Sequence, residues 1–87
     1  MNKDELFNRL RNLSFKPVGV RACKDANYGL EKQSYSVWIC GKGSIDPAIP
    51  TGIDISFIGR YLKEETANKA KQKYQKWFEQ YQHQEAL

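Results

Sequence analysis

The stretch from Ile53 to Tyr81 limits what this chain can become: an apolar run passes through Gly59 into a long segment with helical periodicity. Ala67, Ala70, Tyr74, Trp77, Phe78 and Tyr81 recur at steps of three, four and seven, so a 3.6-residue period puts them on one stripe. Lys69, Lys73 and Lys76 fall on a different face. A helix with one apolar stripe must bury it, and the partner in so short a chain is the sheet formed by the segments before it. The helix is expected from about Lys63 to Tyr81, with Glu64 and Glu65 at the positive end of its dipole and Lys73 and Lys76 toward the negative end. The tail from Gln82 to Leu87 is expected to fray.

The preceding segments supply that partner. Residues from about Lys3 to Leu13 form a short amphipathic helix with Leu6, Phe7, Leu10 and Leu13 on one side, and Asn2 followed by Glu5 has capping-box spacing. Phe15 to Cys23 is a first strand, placed at a sheet edge by Pro17, which has no N–H to give to a ladder. Lys24 to Ser34 is a polar connection with Asn27 and Gly29 as turn formers. Tyr35 to Cys40 is a second strand, nearly continuous in apolar residues and so expected to be covered on both faces. Gly41 to Gly52 holds three glycines and two prolines and reads as a long hairpin loop; Ile53 to Ile58 is the third strand, ended by Gly59. The order α-β-β-β-α, with connections too short for parallel crossovers, gives one α+β domain over residues 1–87 with a three-stranded antiparallel sheet.

Composition narrows the chemistry. Eighty-seven residues bury only about 60% of the surface the unfolded chain exposes, which leaves room for one core. Cys23 and Cys40 have neither zinc nor redox spacing, and the lone histidine, His83, lies near the end. Both cysteines read as small buried hydrophobes in a reduced, cytoplasmic setting. No metal site, cofactor motif or catalytic constellation is expected: GKGS at Gly41 to Ser44 lacks the context of a phosphate loop, and Asp46 and Asp54 read as solvated carboxylates. No apolar run is long enough to cross a membrane.

Binding fits the inventory better than catalysis. The net charge of +4 leans toward polyanions without forming a polybasic block: eight basic residues stand against six acidic before Gly59, and six against four after it. Lysines and arginines beside aromatics are the footprint of nucleic-acid binders, because they displace condensed counterions while rings stack or pack. The candidate contacts are Arg21, Lys24, Lys42 and Arg60, with Lys69 and Lys73 as flanking phosphate contacts.

Three motifs carry a family resemblance. GVR at Gly19 to Arg21, YSVWI at Tyr35 to Ile39 and FIGRY at Phe57 to Tyr61, followed by KEETANKAKQKY, resemble the AP2 domain and the related arm-binding domains of phage integrases, over Val18 to Phe78. The resemblance implies a three-stranded sheet that enters the major groove of duplex DNA, backed by the carboxy-terminal helix, and a phage or mobile-element origin. It places Arg21 where that family has a DNA-contacting arginine. It also places Cys23, Trp38, Cys40, Ile55 and Phe57 at sheet positions where the family mostly has arginine, glutamate or tryptophan. So apolar a face implies a cover, either the first helix through Leu6, Phe7, Leu10 and Leu13 or another protein. The same α-β-β-β-α order is found in double-stranded RNA-binding domains, whose basic last helix KAKQKY resembles, without their glycine and lysine signatures. The competing expectation is a small protein-binding inhibitor or regulator of the anti-CRISPR or immunity kind, using the Gly41 to Gly52 loop and the apolar sheet face, with homodimerisation through that face as a variant.

Overall fold

The first helix, α1 (Lys3–Arg11), begins at the expected cap: Asn2 is extended, and its Oδ1 accepts the Glu5 N–H at 2.8 Å. Its last turn closes with the Asn12 N–H on the Arg9 carbonyl, two residues short of the predicted end at Leu13. The computed structural model describes residues 1–26, 32–44 and 54–86. Asn27, Gly29, Asp46 and the Ile45–Pro50 stretch of the expected loops lie outside them.

Three strands follow, β1 (Pro17–Lys24), β2 (Tyr35–Gly41) and β3 (Ile55–Tyr61), paired antiparallel in the order β1-β2-β3, and then α2 (Glu64–Ala86). The α+β order is as expected, and β1 is an edge strand as Pro17 requires. Besides the earlier end of α1, the first strand is shifted from Phe15–Cys23 to Pro17–Lys24, and two further ends are corrected. The third strand runs on through Gly59 to Tyr61, and α2 stays helical to Ala86, so His83 sits in its last turn. At 23 residues α2 spans about 34 Å, well past the sheet, and its far end is held by α1: the rings of Phe7 and Tyr81 meet edge to face at 5.4 Å.

One side of the sheet makes the core. Val20, Val37 and Ile39 project from it onto the stripe of α2, where Ala67, Ala70, Tyr74 and Phe78 are buried, and Leu6 and Leu10 of α1 close the same cluster. Trp77 and Tyr81 pack on its margin. Both helices therefore lie on one side. Of the two covers the sequence leaves open for the apolar Trp38–Phe57 face, the first helix and another protein, α1 is not one, because Leu6, Phe7 and Leu10 are spent on α2 and the core.

Each edge strand carries a bulge, an extra residue that interrupts the ladder. In β1 it is Val18, between the Pro17–Gly41 and Gly19–Cys40 pairs; in β3 it is Ile58, between Phe57–Trp38 and Gly59–Val37. The bulge in β3 decides which side Arg60 occupies. Strict alternation would put Phe57, Gly59 and Tyr61 on one side, with Arg60 opposite. The extra residue resets the count. Ile58 and Tyr61 pack with the core, and Arg60, opposite Ser36, joins Phe57 on the other side.

Candidate functional site

With both helices on one side, the opposite side of the sheet is bare of regular structure among the described residues. Its residues form a grid set by the ladder registers: Arg21, Trp38 and Phe57 lie in one row across the three strands, Cys23, Ser36 and Arg60 in the next, and Gly19, Cys40 and Ile55 in the third. At about 4.8 Å between strands, each row is about 10 Å wide. None of the strand residues is acidic.

The centre of the grid is aromatic. Trp38 and Phe57 meet edge to face, 5.0 Å between centroids and 72° between planes, and Phe57 is 42% exposed although it belongs to a strand. The guanidinium of Arg60 lies 5.7 Å from the Phe57 ring centre. Arg21 stands at the other border, where its Nη1 lies 3.5 Å from the Val20 carbonyl on the outer edge of β1. Two cations thus flank one aromatic pair.

Arg60 is held in place by a polar cluster that sequence reasoning did not find. Its Nε bonds Asp25 Oδ2 at 3.2 Å; the same oxygen accepts the Ser34 hydroxyl at 2.7 Å, and Oδ1 accepts the hydroxyl of fully buried Ser36 at 2.6 Å. The Asp25 N–H donates to the Ser34 carbonyl, and the Gln33 amide donates to the Asp25 and Ser34 carbonyls. Burial pushes the Asp25 carboxyl up, but the Ser36 and Ser34 hydroxyls and the Arg60 charge together outweigh it and hold the group below the ordinary aspartate value. No spacing rule pairs residues 25, 34, 36 and 60; only the hairpin register and the β3 bulge bring them together.

The six predicted contacts do not form one surface. Arg21 and Arg60 border the helix-free face, Arg60 sharing its charge with Asp25. Lys24, in alternation with Val20 and Ala22, lies on the helix side beside Tyr35, Glu64 and Asn68 near the start of α2. Lys42 lies past the end of β2, grouped with Lys16, Asp54 and Gln82. Lys69 pairs with Glu65 at 3.2 Å one helical turn away. Lys73 rests over the rings of Tyr74 and Trp77, at 4.7 and 5.2 Å.

The remaining chemistry is sparse. Cys23 and Cys40 are free, and burial, the largest influence on each, pushes both thiols up, away from the thiolate that a nucleophile needs. No group of three or more metal-ligating side chains occurs among the described residues. No described helix is long and apolar enough to cross a membrane.

No family model, curated protein or solved structure matches the chain. The resemblance to AP2-type domains therefore rests on its three short motifs, and the chemistry of the open face is what bears on function.

Proposed function

We propose that this chain is a nucleic-acid-binding module whose contact surface is the helix-free face of the sheet, in a reducing cytoplasmic setting. One observation carries the reading. On the side that no described helix covers, Arg21 and Arg60 stand on either side of the Trp38–Phe57 pair, on strands without a single acidic residue. Guanidinium groups bind phosphate in a fork geometry, and an exposed ring beside them offers a nonpolar surface to a base. Of the predicted contacts, Arg21 and Arg60 belong to this surface. Lys24, Lys69 and Lys73, on the helix side, contribute general positive potential only.

The test is fluorescence anisotropy of labelled oligonucleotides titrated with the protein at several salt concentrations. Affinity should fall with salt as counterion release requires, and the Arg21→Gln, Arg60→Gln double variant should lose affinity and flatten the salt slope. Absence of binding to any nucleic acid at about 50 mM salt would remove the reading.

A second reading shares the same surface. Half-buried Cys23 and Ile55 on this side are apolar, although Cys40 between the strands is buried, and aromatic residues with arginine also mark protein interfaces. A protein partner there would bind with little salt dependence and would depend on Phe57 and Ile55 more than on Arg21.

A further inference from the structure

Resting on the nucleic-acid reading, we infer that the occupant of this face is a single strand, with an unpaired base stacked against Phe57. Reading a duplex through its major groove requires side chains that project donors and acceptors to base edges. The grid offers almost none. Between its two arginines stand Cys23, Trp38, Ile55 and Phe57; Cys40 and the Trp38 indole nitrogen are buried, and the one hydroxyl, on Ser36, is buried and already given to Asp25.

What the grid does present suits an exposed base. Phe57 is 42% exposed, and Trp38 meets it edge to face, which stiffens the ring without stacking flat on it. The β3 bulge sets the Arg60 guanidinium over the same ring, 5.7 Å from its centre, so that a base would share the exposed part of Phe57 with it, and Asp25 anchors Arg60 through Nε. The Arg60 side chain is 62% exposed although its Nε is held by Asp25, so its guanidinium can meet a phosphate next to the stacked base. Arg21, in the row of Trp38 and Phe57, supplies the second phosphate contact at the opposite edge. Sequence-tolerant stacking plus a few phosphate contacts is how single strands are held.

The charge pattern also argues against a second copy as the occupant. In a two-fold face-to-face dimer Arg60 would already be matched by Asp25, but the two copies of Arg21 would be brought onto the aromatic pairs with no acidic strand residue to match them.

The experiment compares a labelled oligothymidylate of about twelve nucleotides, within the usual single-strand site size, with a labelled duplex of similar length. The oligothymidylate should bind about tenfold or more tightly than the duplex, with a log–log salt slope of about −1.4 for two phosphates. Phe57→Leu keeps an apolar side chain but removes the ring, and should weaken single-strand binding about tenfold, whereas Phe57→Trp should retain it. In a Trp77→Phe background, Trp38 emission should be quenched on binding, since Trp77 lies across the molecule on α2. Equal or tighter duplex binding, or an unchanged affinity in Phe57→Leu, would overturn the inference and leave the broader nucleic-acid reading standing. A stable dimer by light scattering without oligonucleotide would also overturn it. Failure of both probes to bind at about 50 mM salt would remove the inference and the reading together.

Discussion

The two sides of this sheet are built from the same three strands and could hardly differ more. On the helix side Val20, Val37 and Ile39 are completely buried under α2 and α1, packed in one apolar cluster. The other side is only partly open: Ser36, hydrogen-bonded to Asp25, and Cys40 are buried, whereas Phe57 is 42% exposed beside the exposed Arg60. The contrast teaches where the stability of so small a domain resides. One side closes the core; on the other, Phe57 and Arg60 keep exposed surface while Ser36 and Cys40 are buried.

The sharpest way to break this comparison is to damage the covered side. Phe78→Ala removes a ring with 1% exposure from between the helix and the sheet, and should cost about 3–5 kcal/mol in urea unfolding. Phe57→Ala, an aromatic deletion of the same size on the open side, should cost well under half as much. Comparable losses would mean that the open side is also core.

Gly41 tests the margin between the sides. A Cβ there would stand 2.6 Å from a Phe15 ring carbon and 2.9 Å from the Lys16 carbonyl, so Gly41→Ala should destabilise by about 1–3 kcal/mol, read from the same unfolding curves. Gly43 has a related constraint on the turn: its N–H donates to Asp54 Oδ2 at 2.7 Å, and a Cβ would collide with that carboxylate at 2.5 Å.

The Asp25 cluster sharpens the comparison by pH. Its carboxyl is held below the unfolded value, so the stability it contributes is complete above the unfolded pKa of about 4 and is lost as pH falls through the lower folded pKa. Urea midpoints of the wild type should therefore drop more steeply in that acid range than those of Asp25→Asn, and Ser36→Ala should cost about 1–2 kcal/mol at neutral pH. Parallel pH curves for wild type and Asp25→Asn would show that the cluster is not coupled to folding.

Smallest of all is the outer face of α2. Lys69→Ala loses an exposed one-turn ion pair with Glu65 and should change stability by about 0.3–0.5 kcal/mol, with no measurable effect on oligonucleotide binding. A large loss of binding would move the contact surface from the sheet to the helix.

The edges of the sheet show a further difference. The outward N–H of Val20 on β1 is accepted by Gln75 Oε1 of α2 at 2.8 Å, and the Phe57 carbonyl on β3 accepts Arg9 Nη1 of α1. With a bulge in each edge strand, these contacts make both edges poor templates for another strand.

Much of the fold was legible in the chain. The 3.6-residue stripe from Ala67 to Phe78, the Asn2–Glu5 cap, the edge position forced by Pro17 and the strand pattern of Tyr35 to Cys40 follow from local periodicity and backbone chemistry, which act within a few residues. The order α-β-β-β-α and its antiparallel sheet follow from them. What the sequence could not decide is anything set by contacts between distant segments. Alternation assigns Arg60 to the wrong side because a one-residue bulge at Ile58 is a property of the ladder, not of the strand that carries it. Which sheet side α1 joins is decided by competition for Leu6 and Leu10, and the pairing of Asp25 with Arg60, 35 residues apart, exists only once three strands are in register. Local sequence determined the elements. The tertiary packing decided which side was left open, and so which cations can act together.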